Sequence, residues 1–299
     1  MTPPPAPLAE ALARTTLVLD GGLSNQLAAQ GCDLGDALWS ARLLADDPGQ
    51  VRAAHAAYVE AGARVLITAS YQASFAGFAR RGLGPSAAAG LFARSVEVAR
   101  AAAGEQAVWV AGSVGPYGAV LADGSEYRGR YGLSTRELVR FHRPRIQALA
   151  AAGPDVLALE TVPDVREAEA LLLAAEGCGV PVWLSYTVLG ERTRGGQLLP
   201  EAFAVAAGAD QVIAVGANCC APSDAGFAVA AAAEATGKPV VVYPNSGERW
   251  SAQARAWQGE VAYDPRQAVR WQAAGARLIG GCCRVGPGHI AQLARQLAP

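Results

Sequence analysis

A single pattern runs the length of the chain and limits its folding options. A short apolar, β-branched run is followed by Gly, Pro, Ser or Asn, and then by an alanine-rich amphipathic stretch. The runs are Thr16–Leu19, Val65–Thr68, Val108–Ala111, Val156–Leu159, Val182–Tyr186, Val212–Val215, Val240–Tyr243 and Leu278–Ile279. The stretches between them include Gln50–Glu60, Ala87–Ala102, Thr135–Ala151, Val165–Ala175, Ser223–Ala235, Pro265–Ala274 and Gly288–Leu297. Strands that are apolar throughout have both faces buried, which is the condition of a parallel sheet covered by helices. Eight such units in a chain of 299 residues predict an α/β fold, a (β/α)8 TIM barrel. An open doubly wound sheet is the alternative, weakened because Gly21-Gly22-Leu23-Ser24 supplies no G-x-G-x-x-G after the first run. No shift in composition divides the chain. Residues 1–13 are expected to be an N-terminal tail and lead-in, and 14–299 a single barrel domain. The longest non-helical insert expected is Gly115–Leu133, after the third strand, overhanging the barrel mouth.

Barrels of this kind place their chemistry at the C-terminal ends of the strands. In order, those ends carry Asp20-Gly21-Gly22, Thr68-Ala69-Ser70-Tyr71, Gly112-Ser113-Val114-Gly115, Glu160-Thr161 and Ser185-Tyr186-Thr187. The last three are Gly216-Ala217-Asn218-Cys219-Cys220, Tyr243-Pro244-Asn245-Ser246 and Gly280-Gly281-Cys282-Cys283. Composition then removes several chemistries. Of 25 basic residues only Lys238 is a lysine, and it precedes the seventh strand, at the opposite rim; a Schiff-base mechanism is excluded. His55 and His142 lie within predicted helices and His289 opens the last one, a distribution that favours helix packing over a His-rich site. His289 alone is within reach of the mouth. With 25 basic and 26 acidic side chains there is no electrostatic footprint for nucleic acid or an anionic membrane. Met1–Pro7 lacks the features of a signal peptide, and no apolar run is long enough to span a bilayer, so a reducing cytoplasm is expected.

The cysteines carry the most specific signal. Adjacent cysteines rarely bridge each other, so Cys219-Cys220 and Cys282-Cys283 do not read as a disulfide framework. Barrel closure brings the ends of strands six and eight together. Three thiolates from those two ends suit a soft tetrahedral Zn2+ with one position left open. The alternative is that these cysteines fill the core, as free cysteines often do.

Gly280-Gly281-Cys282-Cys283-Arg284 together with Gly216-Ala217-Asn218-Cys219 resembles the zinc-dependent homocysteine S-methyltransferases. Further blocks agree: Leu19-Asp20-Gly21-Gly22, Leu38-Trp39-Ser40-Ala41, Thr68 to Ala73, Ser113 to Gly118 and Tyr243 to Glu248. The segment Ala122 to Gly129 is similar to the short single-domain branch that uses S-methylmethionine or S-adenosylmethionine. The resemblance implies zinc on Cys219, Cys282 and Cys283, activating the thiol of homocysteine for attack on a sulfonium methyl group to give methionine. It implies Asp20, Glu160 and Asn218 as homocysteine-binding residues, the carboxylates facing its ammonium group; a structural cap or rim ion pair is the alternative for those two. Gly21 and Ser70 join this substrate-binding set. Tyr117, Tyr127 and Tyr131 are candidates to face the sulfonium through cation–π contact, or to serve loop packing. Cys32 and Cys178 read as incidental, and Cys220 as an ambiguous neighbour of the ligand set. Many relatives carry Thr-Glu where this chain has Asn25-Gln26, which bears on the identity of the donor. Betaine or a methylfolate as donor, selenohomocysteine as acceptor, and a catalytically silent zinc- or amino-acid-binding barrel are the rival readings. The chain stops soon after the last helix, so a monomer is expected.

Overall fold

The computed structural model describes residues 4–35, 40–251 and 256–298. Eight parallel strands form one sheet: β1 (Leu17–Val18), β2 (Val65–Ile67), β3 (Trp109–Val114), β4 (Val156–Val162), β5 (Val182–Tyr186), β6 (Val212–Asn218), β7 (Val240–Tyr243) and β8 (Ala276–Ile279). The order around the sheet is β1-β8-β7-β6-β5-β4-β3-β2. A parallel bridge between Leu19 and Val65 joins its two edges, with Asp20 N donating to the Val65 carbonyl at 3.1 Å. No edge is left open, and the sheet is a barrel surrounded by helices.

Side-chain alternation along each strand sorts the core into two parts. Leu17, Leu19, Val65, Trp109, Ala111, Val156, Ala158, Trp183, Ala214, Val241 and Leu278 form the barrel interior. Val18, Leu66, Val110, Leu157, Leu184, Val215, Val240 and Val242 face the helices. The helices at Thr135–Ala151, Val165–Ala175 and Pro287–Leu297 lie where the alanine-rich pattern predicts them, within a residue. Ser134 and Glu137 form a capping box at the first, and Asp164 caps the second through the Glu167 amide.

Two expectations are corrected. The lead-in is not all tail: Leu8–Arg14 is a helix whose Leu8 and Leu12 join the barrel-interior cluster, closing the end of the barrel away from the strand tips. The indole of Trp109 anchors it by donating to the Ala6 carbonyl at 3.0 Å. The Gly115–Leu133 insert is also partly helical, with an α-turn at Tyr117–Leu121 and a 3-10 turn at Ser125–Tyr127. Further helices at Leu23–Ala29, Ser40–Asp46, Pro48–Glu60, Phe75–Ala79, Pro85–Ala102, Leu199–Ala204, Pro222–Thr236 and Ala268–Ala273 lie in the connections. Leu38-Trp39 lies outside the described residues. No described helix is long and apolar enough to cross a membrane.

Candidate metal centre and substrate pocket

The interior alternation continues past the apolar layers and turns polar at the strand tips. Ser113, Glu160, Ser185, Asn218 and Tyr243 stand two or four residues beyond interior-facing apolar positions, and their side chains form one network. Ser113 Oγ donates to Glu160 Oε1, and Tyr243 Oη donates to Glu160 Oε2 at 3.0 Å. Ser185 Oγ lies 2.8 Å from Tyr243 Oη and 2.9 Å from Asn218 Oδ1. Burial, opposed by the Ser113 hydrogen bond, pushes the Glu160 carboxyl up to about 7. Burial dominates at Asp20 too, and raises it well above the usual carboxylate range. One Asp20 oxygen, Oδ2, accepts from Ile67 N at 2.8 Å; the other, Oδ1, is buried with no hydrogen-bond partner among the described residues.

Above this layer, Cys219 at the end of β6 meets Cys282 and Cys283, three and four residues beyond β8. Their three sulfurs lie within 4.8 Å of one another, and Cys219 Sγ is 3.9 Å from Cys283 Sγ. A tetrahedral ion with Zn–S bonds of about 2.3 Å requires sulfurs about 3.8 Å apart, so this donor set fits a single soft metal ion. Hydrogen bonds from Cys219 and Cys282 hold the Cys283 thiol well below its usual range, while Cys219 and Cys283 push Cys282 up.

The backbone is bent to achieve this. Cys219 (φ +50°), Thr161 (φ +58°) and Arg284 (φ +66°) occupy the left-handed region, which is uncommon for residues with a Cβ and clusters at functional sites. Asn218 holds Thr161 there: its Oδ1 accepts from Thr161 N at 2.7 Å and its Nδ2 donates to Thr161 Oγ1 at 2.8 Å. The cysteine loop is pinned by Cys282 N to the Pro244 carbonyl at 2.8 Å and Cys283 N to Asn245 Oδ1 at 3.1 Å. A Cβ on Gly281 would stand 2.1 Å from Val285 Cγ1, so only glycine lets the loop turn back on itself. Asn25 Oδ1 accepts from Arg284 N at 2.7 Å; the Asn25-Gln26 pair therefore borders the cysteine loop.

The other expected site residues divide. Tyr127 is brought in: the residue is partly exposed, and its hydroxyl lies within hydrogen-bonding reach of Cys219. Tyr117 is turned elsewhere, its ring packed on Tyr131 at 5.2 Å and Phe141 at 4.9 Å between centroids. Ser70 is spent internally, donating to the Ser113 carbonyl at 2.8 Å and paired with Thr68 Oγ1 at 2.7 Å. Gly21 is a packing position, where a Cβ would stand 2.2 Å from the Val285 carbonyl oxygen. Asn218 acts on Thr161 and Ser185 rather than presenting a free amide. Cys220 is buried in the helix-facing core, away from the sulfur cluster. Lys238 sits at the far rim, its Nζ donating to the Ala209 and Val212 carbonyls. His142 is buried against Glu167, 3.0 Å from Oε1, and His289 Nδ1 accepts from Gly286 N at its own helix start. Sequence reasoning missed Tyr243, Ser113 and Ser185 as members of the pocket floor; the period-2 extension of each strand is the signal that finds them. A surface cleft of about 480 Å³ beside the last helix, lined by Tyr263, Arg266 and Arg295 among others, takes no residue from this mouth.

Comparison with known proteins agrees with this geometry. The homocysteine S-methyltransferase family model matches residues 17–297. The homocysteine S-methyltransferase of Escherichia coli K12 is 47% identical over 93% of this chain and 94% of its own, and homocysteine S-methyltransferase 4 of Zea mays is 44% identical over 93% and 88%. The metallated crystal structure of the E. coli homocysteine methyltransferase MmuM superposes with a TM-score of 0.87 at 43% identity, covering 97% of this chain and all of that one. A match of this extent, running from the first barrel strand to the last helix, makes the chain a member of the homocysteine S-methyltransferase family.

Proposed function

We propose that the protein transfers a methyl group from a sulfonium donor, S-methylmethionine or S-adenosylmethionine, to homocysteine, giving methionine. The observation that carries this reading is the three-sulfur cluster at the barrel mouth, spaced as a tetrahedral ion needs. Cys219, Cys282 and Cys283 would hold Zn2+, which when bound keeps a substrate thiol deprotonated at neutral pH. The unpartnered Asp20 Oδ1 and the Glu160 carboxylate would receive the homocysteine ammonium group. Asn218 would keep Thr161 and Ser185 in register beneath it. Tyr127, beside Cys219, would cover the reacting atoms and exclude water.

In the transfer, the homocysteine thiolate forms a new S–C bond to the methyl carbon. The donor's C–S bond breaks, and its electron pair stays on the donor sulfur, which leaves as a neutral thioether. A negative and a positive charge cancel, so a pocket that excludes water favours the step. Six free cysteines suit a reducing compartment, and we place the protein in the cytoplasm as a monomer.

The test is methionine formation from homocysteine with S-methylmethionine, S-adenosylmethionine, betaine or methyltetrahydrofolate, before and after complete chelation. Turnover with a sulfonium donor that is lost on chelation and restored by zinc is expected. No methionine from either sulfonium donor, or full activity without metal, overturns the reading. Turnover with betaine or methylfolate alone reassigns the donor, and selenohomocysteine in place of homocysteine tests the acceptor.

A further inference from the structure

The 3-10 turn at Ser125–Tyr127 carries a feature that neither the thiol cluster nor the acceptor pocket uses. Glu126 is 7% exposed, and its Oε2 is buried with no hydrogen-bond partner among the described residues. The carboxyl stands within electrostatic reach of Cys219 and Cys283. It is therefore near the place where the acceptor sulfur and the transferred methyl meet. A buried carboxylate without a counter-charge is costly, and such groups persist where a ligand completes them.

Its placement is built, not accidental. Gly118 lets the turn approach so closely that a Cβ there would stand 2.5 Å from Glu126 N. Asp123 Oδ1 accepts from Ser125 N at 2.9 Å, fixing the start of the turn. The Arg194 guanidinium lies 5.8 Å from the Tyr127 ring centroid, and its Nε is buried with no hydrogen-bond partner among the described residues. Arg130 ties the two segments together by donating to the Gly195 carbonyl at 2.6 Å. A carboxyl with one unsatisfied oxygen near the thiols and a guanidinium with one unsatisfied nitrogen thus both adjoin Tyr127.

We infer that Glu126, Tyr127 and Arg194 form the subsite for the methyl donor as a sulfonium amino acid, Glu126 facing the cationic sulfur and Arg194 the α-carboxylate. This rests on the methyltransferase reading above and adds the residues that select the donor. It also supplies an acidic group for the cation in a chain that has Asn25-Gln26 beside the cysteine loop. Because the sulfonium charge disappears as the methyl leaves, Glu126 stabilises the bound donor more than the transition state, and its loss is read mainly in KM.

The experiment compares wild type with E126Q, E126D and R194M in the zinc-loaded enzyme. It measures KM for S-methylmethionine and for homocysteine, inhibition by trimethylsulfonium ion, which has the cation but no carboxylate, and metal content. Binding of S-methylmethionine by calorimetry gives a readout independent of turnover. E126Q is expected to weaken both sulfonium ligands about tenfold or more, the scale of a lost charged contact, with E126D between it and wild type. R194M is expected to weaken S-methylmethionine about tenfold and trimethylsulfonium less than twofold. Homocysteine KM and metal content stay within about twofold in all three. Unchanged donor binding in E126Q, or an equal loss for homocysteine, overturns the inference while leaving the methyltransferase reading intact. Absence of turnover in wild type strikes that reading instead, and calorimetry still decides whether Glu126 and Arg194 hold a sulfonium amino acid.

Discussion

The cysteine pairs show how position, not residue type, separates a proposed ligand from its neighbour. Cys219 and Cys220 are adjacent, yet the left-handed turn at Cys219 aims one sulfur at Cys282 and Cys283 and buries the other in the helix-facing core. Burial pushes the Cys220 thiol up, so it stays protonated and inert. Replacing Cys282 or Cys283 by serine is expected to remove the bound metal and lower activity at least about 100-fold, whereas Cys220→Ala keeps one metal per chain. Elemental analysis of the purified variants checks this, and metal retained in both serine variants would count against the proposed ligand set.

At the scale of elements, the barrel needs both of its ends. Strand alternation leaves Leu17, Val65, Trp109 and Val156 facing an interior that no strand residue closes below, and the Leu8–Arg14 helix covers it. Leu12 is wholly buried in that cluster. Leu12→Ala is expected to cost about 2–5 kcal/mol, because the rigid sheet around the site cannot collapse into the space. Equilibrium denaturation measures it; a loss below about 1 kcal/mol would mean the helix is dispensable. At the mouth, Glu167 performs the corresponding service for the inserted segment. Its Oε1 accepts from Tyr117 N at 2.5 Å and lies beside His142, which fastens the segment bearing Glu126 to the Val165–Ala175 helix.

For the molecule as a whole, the buried acids set a pH dependence opposite in sign to that of surface carboxylates. Burial raises Glu160 from 4.5 to about 7 and Glu167 from 4.5 to about 8 in the folded protein. The folded state therefore holds these protons more tightly than the unfolded chain. Stability is full below about pH 4.5 as far as these groups are concerned, and falls as pH rises through 7 and 8. From about pH 7 to 9, where His55 and His142, held down by burial, are neutral in both states and contribute no slope, denaturant midpoints of the metal-free protein should decline, and Glu160→Gln should flatten the start of that decline. A midpoint that rises over this range would contradict the assignment. The same ionisation makes Glu160 a better partner for an ammonium group, so homocysteine KM is expected to fall as pH rises through 7.

The eight strands were legible because parallel strands buried on both faces leave nearly unbroken apolar runs, and the long helices because their amphipathic pattern persists for three turns or more. Short helices such as Leu8–Arg14 and Tyr117–Leu121 were not legible, since five to seven residues hold too few turns for a period to register. The donor set Cys219, Cys282 and Cys283 was readable from strand-end placement and resemblance. The sequence alone determines the strand–helix alternation, the pairing of cysteines with two strand ends, and the exclusion of lysine chemistry. Only the tertiary structure decided which hydroxyls surround Glu160, that Tyr127 and not Tyr117 reaches the thiols, and that Glu126 Oε2 and Arg194 Nε are buried without a hydrogen-bond partner among the described residues. The physical reason is that local pattern reports which way a side chain leaves its own strand or helix. What it meets there is set by barrel closure, which brings together residues as far apart in sequence as Glu160 and Tyr243 or Cys219 and Cys283.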